Sequence, residues 1–231
     1  MVLGYDRSML RTDPLADPGS EGLFFPVEED VPESKRHLEL RTLLYEILKY
    51  RLAARASIGC DQFVYWDPRN PRACLSPDGF VYLGAPDTDF PSWKTWERGI
   101  PELAIEIVSD SDAHEIAWRE KLERYQELGV RELVRFDPEA PPGKEIEVWR
   151  REPDRLCPAE RGVDRARSVT LDAWLLAVPD ARFGVMLRLA DDQAGERLWL
   201  TRAESEAEAL EAAVRRIAKL EAELRRLKGE G

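Results

Sequence analysis

The sequence predicts an α/β fold, a mixed sheet flanked by helices, and three observations lead to this class. Short apolar segments at 58–66, 80–83 and 103–108 are typical of strands, and the last is apolar enough for the centre of a sheet. Segments at 34–54 and 113–128 instead repeat apolar residues at helical spacing. Because helices and strands alternate along the chain, we expect the helices to pack against the sheet.

The ends of these elements carry the expected signals. Residues 1–33 are rich in Pro, Gly, Asp and Glu, which predicts an extended N-terminal arm. Ser34 is a suitable N-cap for the first helix, and Gly129 is a suitable C-terminal cap for the second. Two more strands are predicted at 132–136 and 145–149, with a loop rich in Pro between them.

Residues 151–200 are less informative. We expect a short helical or extended piece at 169–176, followed by strands at 183–189 and 198–200. With these segments the predicted domain spans residues 34–200.

The C-terminal tail, 201–231, has a different pattern. Residues 202–228 contain no Gly or Pro, which predicts one long helix. Its apolar residues fall at the a and d positions of nearly three heptads: Leu210, Ala213, Ile217, Leu220, Leu224 and Leu227. This seam predicts a coiled coil and therefore a homodimer or higher homo-oligomer. The alternative is that the same face folds back onto the domain of its own chain.

Composition narrows the class of protein. Hydrophobic residues make up 43 % of the 231 residues, which is typical of a globular protein. No apolar run is long enough for a membrane span, and the N-terminus does not resemble a secretory signal. Because the cysteines do not form the pattern of a disulfide framework, we expect a protein of the reducing cytoplasm. The net charge of −11 argues against DNA binding over the whole surface, although a local basic face remains compatible with it.

Cysteine and histidine are too few for several kinds of site. The three cysteines, Cys60, Cys74 and Cys157, lie far apart, which fits neither a disulfide framework nor a zinc site. His37 and His114 are the only histidines. A His-rich metal site or a Ser-His-Asp triad therefore has little to build on.

Two carboxylates are candidates for chemistry. Glu106 lies between Ile105 and Ile107 in the strongest strand, where an uncompensated charge would be costly. Asp78 precedes another apolar strand. A divalent cation would compensate both, because Mg²⁺ prefers oxygen ligands. The alternatives are that Asp78 belongs to an ordinary turn and that Glu106 faces solvent on a half-exposed strand.

Three segments together resemble a known family. They are 75–84 (LSPDGFVYLG), 101–109 (PELAIEIVS) and 121–138 (KLERYQELGVRELVRFDP). In order and spacing they resemble the Uma family of restriction endonucleases, a branch of the PD-(D/E)XK nuclease superfamily, over about residues 35–150. The resemblance implies a restriction-endonuclease-like fold.

The resemblance also implies roles for single residues. Asp78 and Glu106 match the two acidic residues that hold Mg²⁺, with Mn²⁺ as an alternative. The superfamily lysine is expected two residues after the glutamate, where Val108 stands, and Lys121 on the following helix matches the displaced lysine of this family. Taken singly, Lys121 also fits a solvated, salt-bridged helix face. Tyr125, four residues further on, is an auxiliary candidate.

Other residues are weaker candidates. Glu39 on the first helix matches an auxiliary acidic residue of the superfamily, although a surface position is the simpler interpretation. His37 lies two residues earlier and could serve the same site. Asp110 and Asp112 stand where the family usually has Ser-Pro-Ser-Thr-like residues, which bears on substrate preference.

Two tryptophans offer a further possibility. Trp93 and Trp96 flank Lys94 in a predicted loop, where they would either stack on bases or pack in the core.

The expected function is therefore Mg²⁺-dependent hydrolysis of phosphodiester bonds in nucleic acid, DNA in the first place. One alternative is a non-catalytic binding or assembly module of the same fold, organised by its coiled coil. Another is a metal-dependent hydrolase with a different substrate. Convergence of Asp78, Glu106 and Lys121 in the folded protein would favour the nuclease.

Overall fold

The computed structural model describes residue 25 and residues 34–109, 115–227 and 229, the side chains of 115–117 excepted. The rest of the predicted arm, and Asp110 and Asp112, lie outside the described residues. The chain divides into two compact units, residues 1–199 and 200–231. None of the described helices is long and apolar enough to cross a membrane.

The first unit contains three helices and twelve strands within its described part. The helices are α1 (Lys35–Leu52), α2 (Thr95–Arg98) and α3 (Glu115–Leu128). The strands are β1 (Ala56–Gly59), β2 (Val64–Tyr65), β3 (Cys74–Leu75), β4 (Gly79–Leu83), β5 (Trp93–Lys94), β6 (Leu103–Ile107), β7 (Glu132–Phe136), β8 (Ile146–Arg151), β9 (Leu156–Val163), β10 (Arg165–Ser168), β11 (Ala173–Asp180) and β12 (Gly184–Ala190). The second unit is built on α4 (Arg202–Leu227).

The main sheet has six strands in the order β1-β4-β6-β7-β8-β9. Strand β6 pairs antiparallel with β4 and parallel with β7, and the other neighbours are antiparallel. The α/β class with a mixed sheet flanked by helices is therefore confirmed. The parallel pair needs a crossover, and α3 provides it between β6 and β7.

Each face of the main sheet is covered by a separate apolar core. One core joins α1, the main sheet and a three-stranded sheet, β10-β11-β12. The other joins α3 and the small sheet β3-β2-β5 to the opposite face. Every residue of β6 is buried, as expected for a strand covered on both faces.

Alternation along β6 decides where Glu106 points. Leu103, Ile105 and Ile107 belong to the core that contains α1, whereas Ala104 belongs to the core that contains α3. Because successive side chains point to opposite faces, Glu106 lies on the same face as Ala104. The predicted central strand therefore carries its carboxylate into the protein towards α3, and the solvent-facing alternative for Glu106 is wrong.

The predicted helix ends are confirmed by their caps. The backbone N–H of His37 donates to the Ser34 side chain at 3.2 Å, so Ser34 caps α1. Gly129 has a φ of 94° and donates its N–H to the carbonyl of Tyr125 at the end of α3.

The single strand predicted at 58–66 is wrong. Residues 56–59 form β1 in the main sheet, whereas residues 64–65 form β2 in the small sheet. Asp61 separates them with a φ of 68°, a left-handed conformation that ends an extended strand. Its backbone N–H bonds to the Pro77 carbonyl, which holds the bend next to Asp78.

Residues 151–200, for which the sequence was least informative, form mainly strands. Strand β12 confirms the strand predicted at 183–189, but β9 and β10 were not predicted. The segment 169–176 is a turn followed by the first half of β11. At 198–200 only one bridge forms, between Ala190 and Leu198.

Candidate active site

The register of two neighbouring strands brings the two candidate carboxylates together. Strand β4 pairs with β6 so that Gly79 lies opposite Ile105, and one more step places Asp78 opposite Glu106. The backbone N–H of Ile107 donates to Asp78 Oδ2 at 2.7 Å, which fixes Asp78 at the end of β6. Asp78 is 5 % exposed and Glu106 is 2 % exposed. The pair is therefore buried beside the carboxyl end of the central strand.

Two side chains of α3 hold the Glu106 carboxylate. Lys121 Nζ donates to Oε2 at 2.8 Å, and the Tyr125 hydroxyl donates to Oε1. Lys121 and Tyr125 are four residues apart, so they extend from the same face of the helix. Lys121 is salt-bridged, as one interpretation of its helix face expected, but its partner is the buried Glu106 and its side chain is only 23 % exposed.

Burial raises the pKa of the Glu106 carboxyl to about 7, and the nearby charge of Asp78 adds to the rise. The charge and hydrogen bond of Lys121 and the hydrogen bond of Tyr125 act in the opposite direction without cancelling it. The ammonium of Lys121 therefore does not fully offset the cost of burying the charged form of Glu106 next to Asp78. A further cation at this position would stabilise the ionised form of Glu106.

Helix α1 approaches Asp78 from the other core. His37 Nε2 lies 3.3 Å from Asp78 Oδ2 and 3.0 Å from the carbonyl oxygen of Ile107. Arg41, one turn later, has its Nε 4.0 Å from Asp78 Oδ1 and its other end 2.9 Å from Asp61 Oδ2. Asp78 thus faces two basic side chains of one helix face.

Arg41 was missed by reasoning from the sequence. A usable signal existed, because Arg41 follows His37 by four residues and therefore shares its helix face. Arg41 also lies 3.8 Å from the sulfur of Cys60. Burial raises the pKa of the Cys60 thiol to about 11, which favours the protonated thiol at neutral pH.

The remaining candidates lie elsewhere. Glu39 forms ion pairs with Arg182 and Lys35, so its carboxylate is engaged away from Asp78. Trp93 belongs to β5 rather than to a loop and packs against Phe80 and Phe90 in the core, where its indole N–H donates to the Gly99 carbonyl.

The donor set fits a hard cation. No three His, Cys, Asp or Glu side chains within the described ranges form a ready group of metal ligands. Asp78 and Glu106 supply carboxylate oxygens. The backbone of Ile107 is next to Asp78, and its carbonyl oxygen lies 3.0 Å from His37 Nε2. Mg²⁺ commonly binds through one or two carboxylates and completes its shell with waters and substrate phosphate. Two carboxylates with an adjacent carbonyl are therefore a sufficient protein contribution.

The family model described as "Uma2: Putative restriction endonuclease" matches residues 27–178. This chain belongs to the Uma2 family. The match includes Asp78, Glu106, Lys121 and the elements that bring them together.

Among solved structures, the chain is similar to the "Crystal structure of a putative nuclease belonging to DUF820 from Anabaena variabilis ATCC 29413". The two are 14 % identical with a TM-score of 0.40, over 71 % of this chain and 80 % of the other. No curated protein matches the chain.

Proposed function

We propose that this Uma2 protein is a Mg²⁺-dependent endonuclease that hydrolyses phosphodiester bonds in DNA. The observation that carries the proposal is the meeting of Asp78, Glu106 and Lys121 around one buried position. Asp78 precedes β4, Glu106 lies in β6 and Lys121 lies in α3, so these residues share no local reason to converge. Their convergence favours a catalytic centre over a non-catalytic module of the same fold.

Asp78 and Glu106 would hold the cation. When bound, Mg²⁺ supplies a Lewis acid for the phosphoryl oxygens and lowers the pKa of a coordinated water. The protein prepares this position by fixing both carboxylates. The Ile107 N–H orients Asp78, and the Tyr125 hydroxyl orients Glu106. Preorganised groups need little rearrangement when negative charge develops in the transition state.

Lys121 would act on the reacting atoms. Its ammonium is a donor with three hydrogens and a long stem, and in this structure it rests on Glu106 Oε2. From there it can orient the attacking water and stabilise negative charge on the phosphate. Lys121 is not a metal ligand, because an ammonium has no free lone pair.

DNA as the substrate is supported by the description of the family. The net charge of −11 means that a polyanion must be attracted by local positive charge. Lys121 and Arg41 supply such charge from two sides of the carboxylate pair.

We also propose that α4 joins two copies of the chain. The helix buries none of its residues, and its apolar side chains are exposed at the heptad positions Leu210, Ile217, Leu220, Leu224 and Leu227. A helix with such a seam is marginal alone and gains stability by packing against an equivalent helix. A two-fold dimer would also offer two sites to the two strands of a duplex.

Calorimetric titration with Mg²⁺ and Mn²⁺, together with a plasmid cleavage assay, tests the nuclease proposal. We expect the wild type to bind the cation and to cleave the plasmid. The Asp78→Ala variant should lose both cation binding and cleavage. Asp89→Ala is the matched control, because Asp89 is an exposed aspartate that contacts neither carboxylate. Metal binding without cleavage of any DNA or RNA substrate would favour the non-catalytic module instead.

A further inference from the structure

Three arginines come together where α3 meets the small sheet. Strands β2 and β3 form a hairpin, and its connecting segment, 66–73, carries Arg69 and Arg72. Arg124 of α3 donates to the backbone carbonyl of Arg72 at 2.9 Å and to that of Cys74. These bonds hold the helix arginine against the hairpin. Arg69, Arg72 and Arg124 are called the arginine cluster below.

The hairpin loop holds its two arginines in a fixed turn. The Asp67 carboxylate accepts the backbone N–H of Arg69 at 2.9 Å, and the Asn70 side chain accepts that of Arg72 at 3.1 Å. The two prolines of the segment restrict its backbone further. A loop that is already ordered loses little conformational entropy when it binds a ligand.

The arginine cluster keeps most of its positive charge. Arg124 donates to carbonyls, which carry no formal charge, and lies over the Trp66 ring at 5.8 Å from its centroid. Within the described residues, the glutamates of α3 form no ion pair with Arg124, and Arg72 is exposed. Asp67 lies 3.6 Å from Arg69, whose side chain is nevertheless 89 % exposed. Three arginines are therefore paired with one carboxylate, on a protein whose net charge is −11.

The arginine cluster lies close to the proposed cleavage position. Arg124 follows Lys121 by three residues on α3, and Lys121 contacts Glu106. On the hairpin, Cys74 precedes Asp78 by four residues, which span at most about 14 Å of extended chain. Each nucleotide of a DNA strand advances about 3.4 Å along the helix axis. A strand with its scissile phosphate at the carboxylates can therefore reach the cluster within a few nucleotides.

We propose that the arginine cluster binds the sugar–phosphate backbone of duplex DNA on one side of the scissile bond. Arg69 and Arg72 contact the phosphates, and Arg124 holds the loop and adds its charge. The ligand rests on the proposed function, but the contact itself requires no metal. Guanidinium groups donate paired hydrogen bonds to phosphate oxygens whatever the base sequence. The cluster thus supplies the local positive charge that an acidic protein needs to attract a polyanion.

Fluorescence anisotropy of a short labelled DNA duplex tests the proposal, with the full chain, a chelator and a series of salt concentrations. In the double variant Arg69→Gln/Arg72→Gln, affinity should fall roughly ten-fold or more at about 0.1 M salt. The slope of log affinity against log salt should become less steep by about 2, because each phosphate contact contributes roughly 0.9.

Two further double variants separate the contact from general effects of charge and folding. Arg155→Gln/Arg161→Gln removes the same charge from two exposed arginines at β9, the far edge of the main sheet, and should change affinity little. Arg69→Lys/Arg72→Lys keeps the charge and should keep most of the salt slope. Circular dichroism and thermal unfolding establish that each variant is folded.

Cleavage kinetics supply a second readout. On plasmid DNA with Mg²⁺, the Arg69→Gln/Arg72→Gln variant should raise KM roughly ten-fold and leave kcat nearly unchanged. This split is expected because the two arginines bind the substrate and the transition state equally, away from the reacting atoms.

The outcomes separate this proposal from the proposed function. Unchanged affinity and salt slope in Arg69→Gln/Arg72→Gln, or an equal loss in Arg155→Gln/Arg161→Gln, would overturn the docking surface and leave the nuclease intact. If the wild type cleaves but binds too weakly to measure without metal, an unchanged KM overturns it. Binding that depends on the cluster, without cleavage under any metal, would support the docking surface and contradict the nuclease. A wild type that neither binds nor cleaves DNA would overturn both.

Discussion

The two units of the molecule depart from the usual distribution of residues in opposite ways. The first unit buries charge, since Asp78 and Glu106 lie inside it at 5 % and 2 % exposure. The second exposes apolar surface, since Ile217 and Leu227 of α4 are 56 % and 78 % exposed. Neither arrangement is favourable by itself, because buried charge and exposed leucine both cost free energy.

Each unit therefore gains stability from a different kind of partner. The buried Glu106, whose pKa stays raised beside Lys121, would be stabilised by more positive charge, whereas the exposed heptad seam would be stabilised by an apolar surface. In our proposals, a cation supplies the positive charge to the first unit, and the α4 helix of a second copy supplies the apolar surface to the second unit.

The largest effect is expected for Lys121→Met, which removes the ammonium but keeps most of the stem. Cleavage should fall at least about 100-fold, the scale found when a preorganised charge-stabilising donor is removed. Metal binding should persist, because Lys121 contributes no ligand atom and its loss leaves the site more negative.

Arg119→Met is the matched control for Lys121→Met, since Arg119 lies on the same helix and is exposed. Steady-state cleavage rates and calorimetry measure the two effects. Cleavage by Lys121→Met at the rate of the control would remove Lys121 from the mechanism.

The second effect concerns the exposed seam of α4. Ile217→Glu places a charge at a central a position and removes an apolar contact worth about 2 kcal/mol in each chain. We expect the dimer to dissociate at concentrations where the wild type remains associated, tens of micromolar, in sedimentation equilibrium. A chain that ends at Thr201 should likewise be monomeric.

Ala218→Glu introduces the same charge beside the seam and should leave the dimer intact, so it serves as the control for Ile217→Glu. A monomeric wild type would contradict the proposed coiled coil. A truncated chain that still associates would move the interface to the first unit.

A third effect follows from Glu106, whose pKa is raised from an ordinary value of 4.5 to about 7 in the folded protein. Below pH 4.5 the carboxyl is protonated in both states and contributes no difference. Between pH 4.5 and about 7 the unfolded chain releases the proton first, so the free energy of unfolding falls as pH rises. The fall is on the order of 3 kcal/mol.

Denaturant unfolding from pH 4.5 to 8, with a chelator present, measures this slope. Glu106→Gln cannot ionise and should lack the contribution, so its stability relative to the wild type should improve as pH rises. Parallel curves for the two proteins would show that Glu106 titrates normally.

The smallest effect is expected for Tyr125→Phe, which removes only the hydroxyl that donates to Glu106 Oε1. A hydrogen bond to a charged group contributes about 1.5–3 kcal/mol, so stability at pH 8 should fall by at most this amount. The loss should be smaller near pH 5, where the carboxyl is protonated. Cleavage should fall less than in Lys121→Met, because Tyr125 orients a residue rather than contacting the reacting atoms.

Much of the fold was determined by local pattern. Apolar periodicity predicted α1, α3 and α4, and β-branched composition predicted β6 as the central strand. The caps at Ser34 and Gly129 depend on residues within one helical turn, which is why the sequence indicates them directly. Asp78, Glu106 and Lys121 were identified through family resemblance, since each residue taken singly had an ordinary alternative.

Which side chains meet depends on contacts between segments that lie far apart in the sequence. The split of 58–66 into β1 and β2 depends on a bend at Asp61 that bonds to the distant Pro77 carbonyl. The sheet β10-β11-β12 gains its stability by covering the core around α1, a long-range effect that no short window of sequence contains. His37 and Arg41 also reach Asp78 through long-range packing, that of α1 against the main sheet. Helical spacing fixes which residues share a face of α1, but packing against the sheet decides which face turns towards the carboxylates.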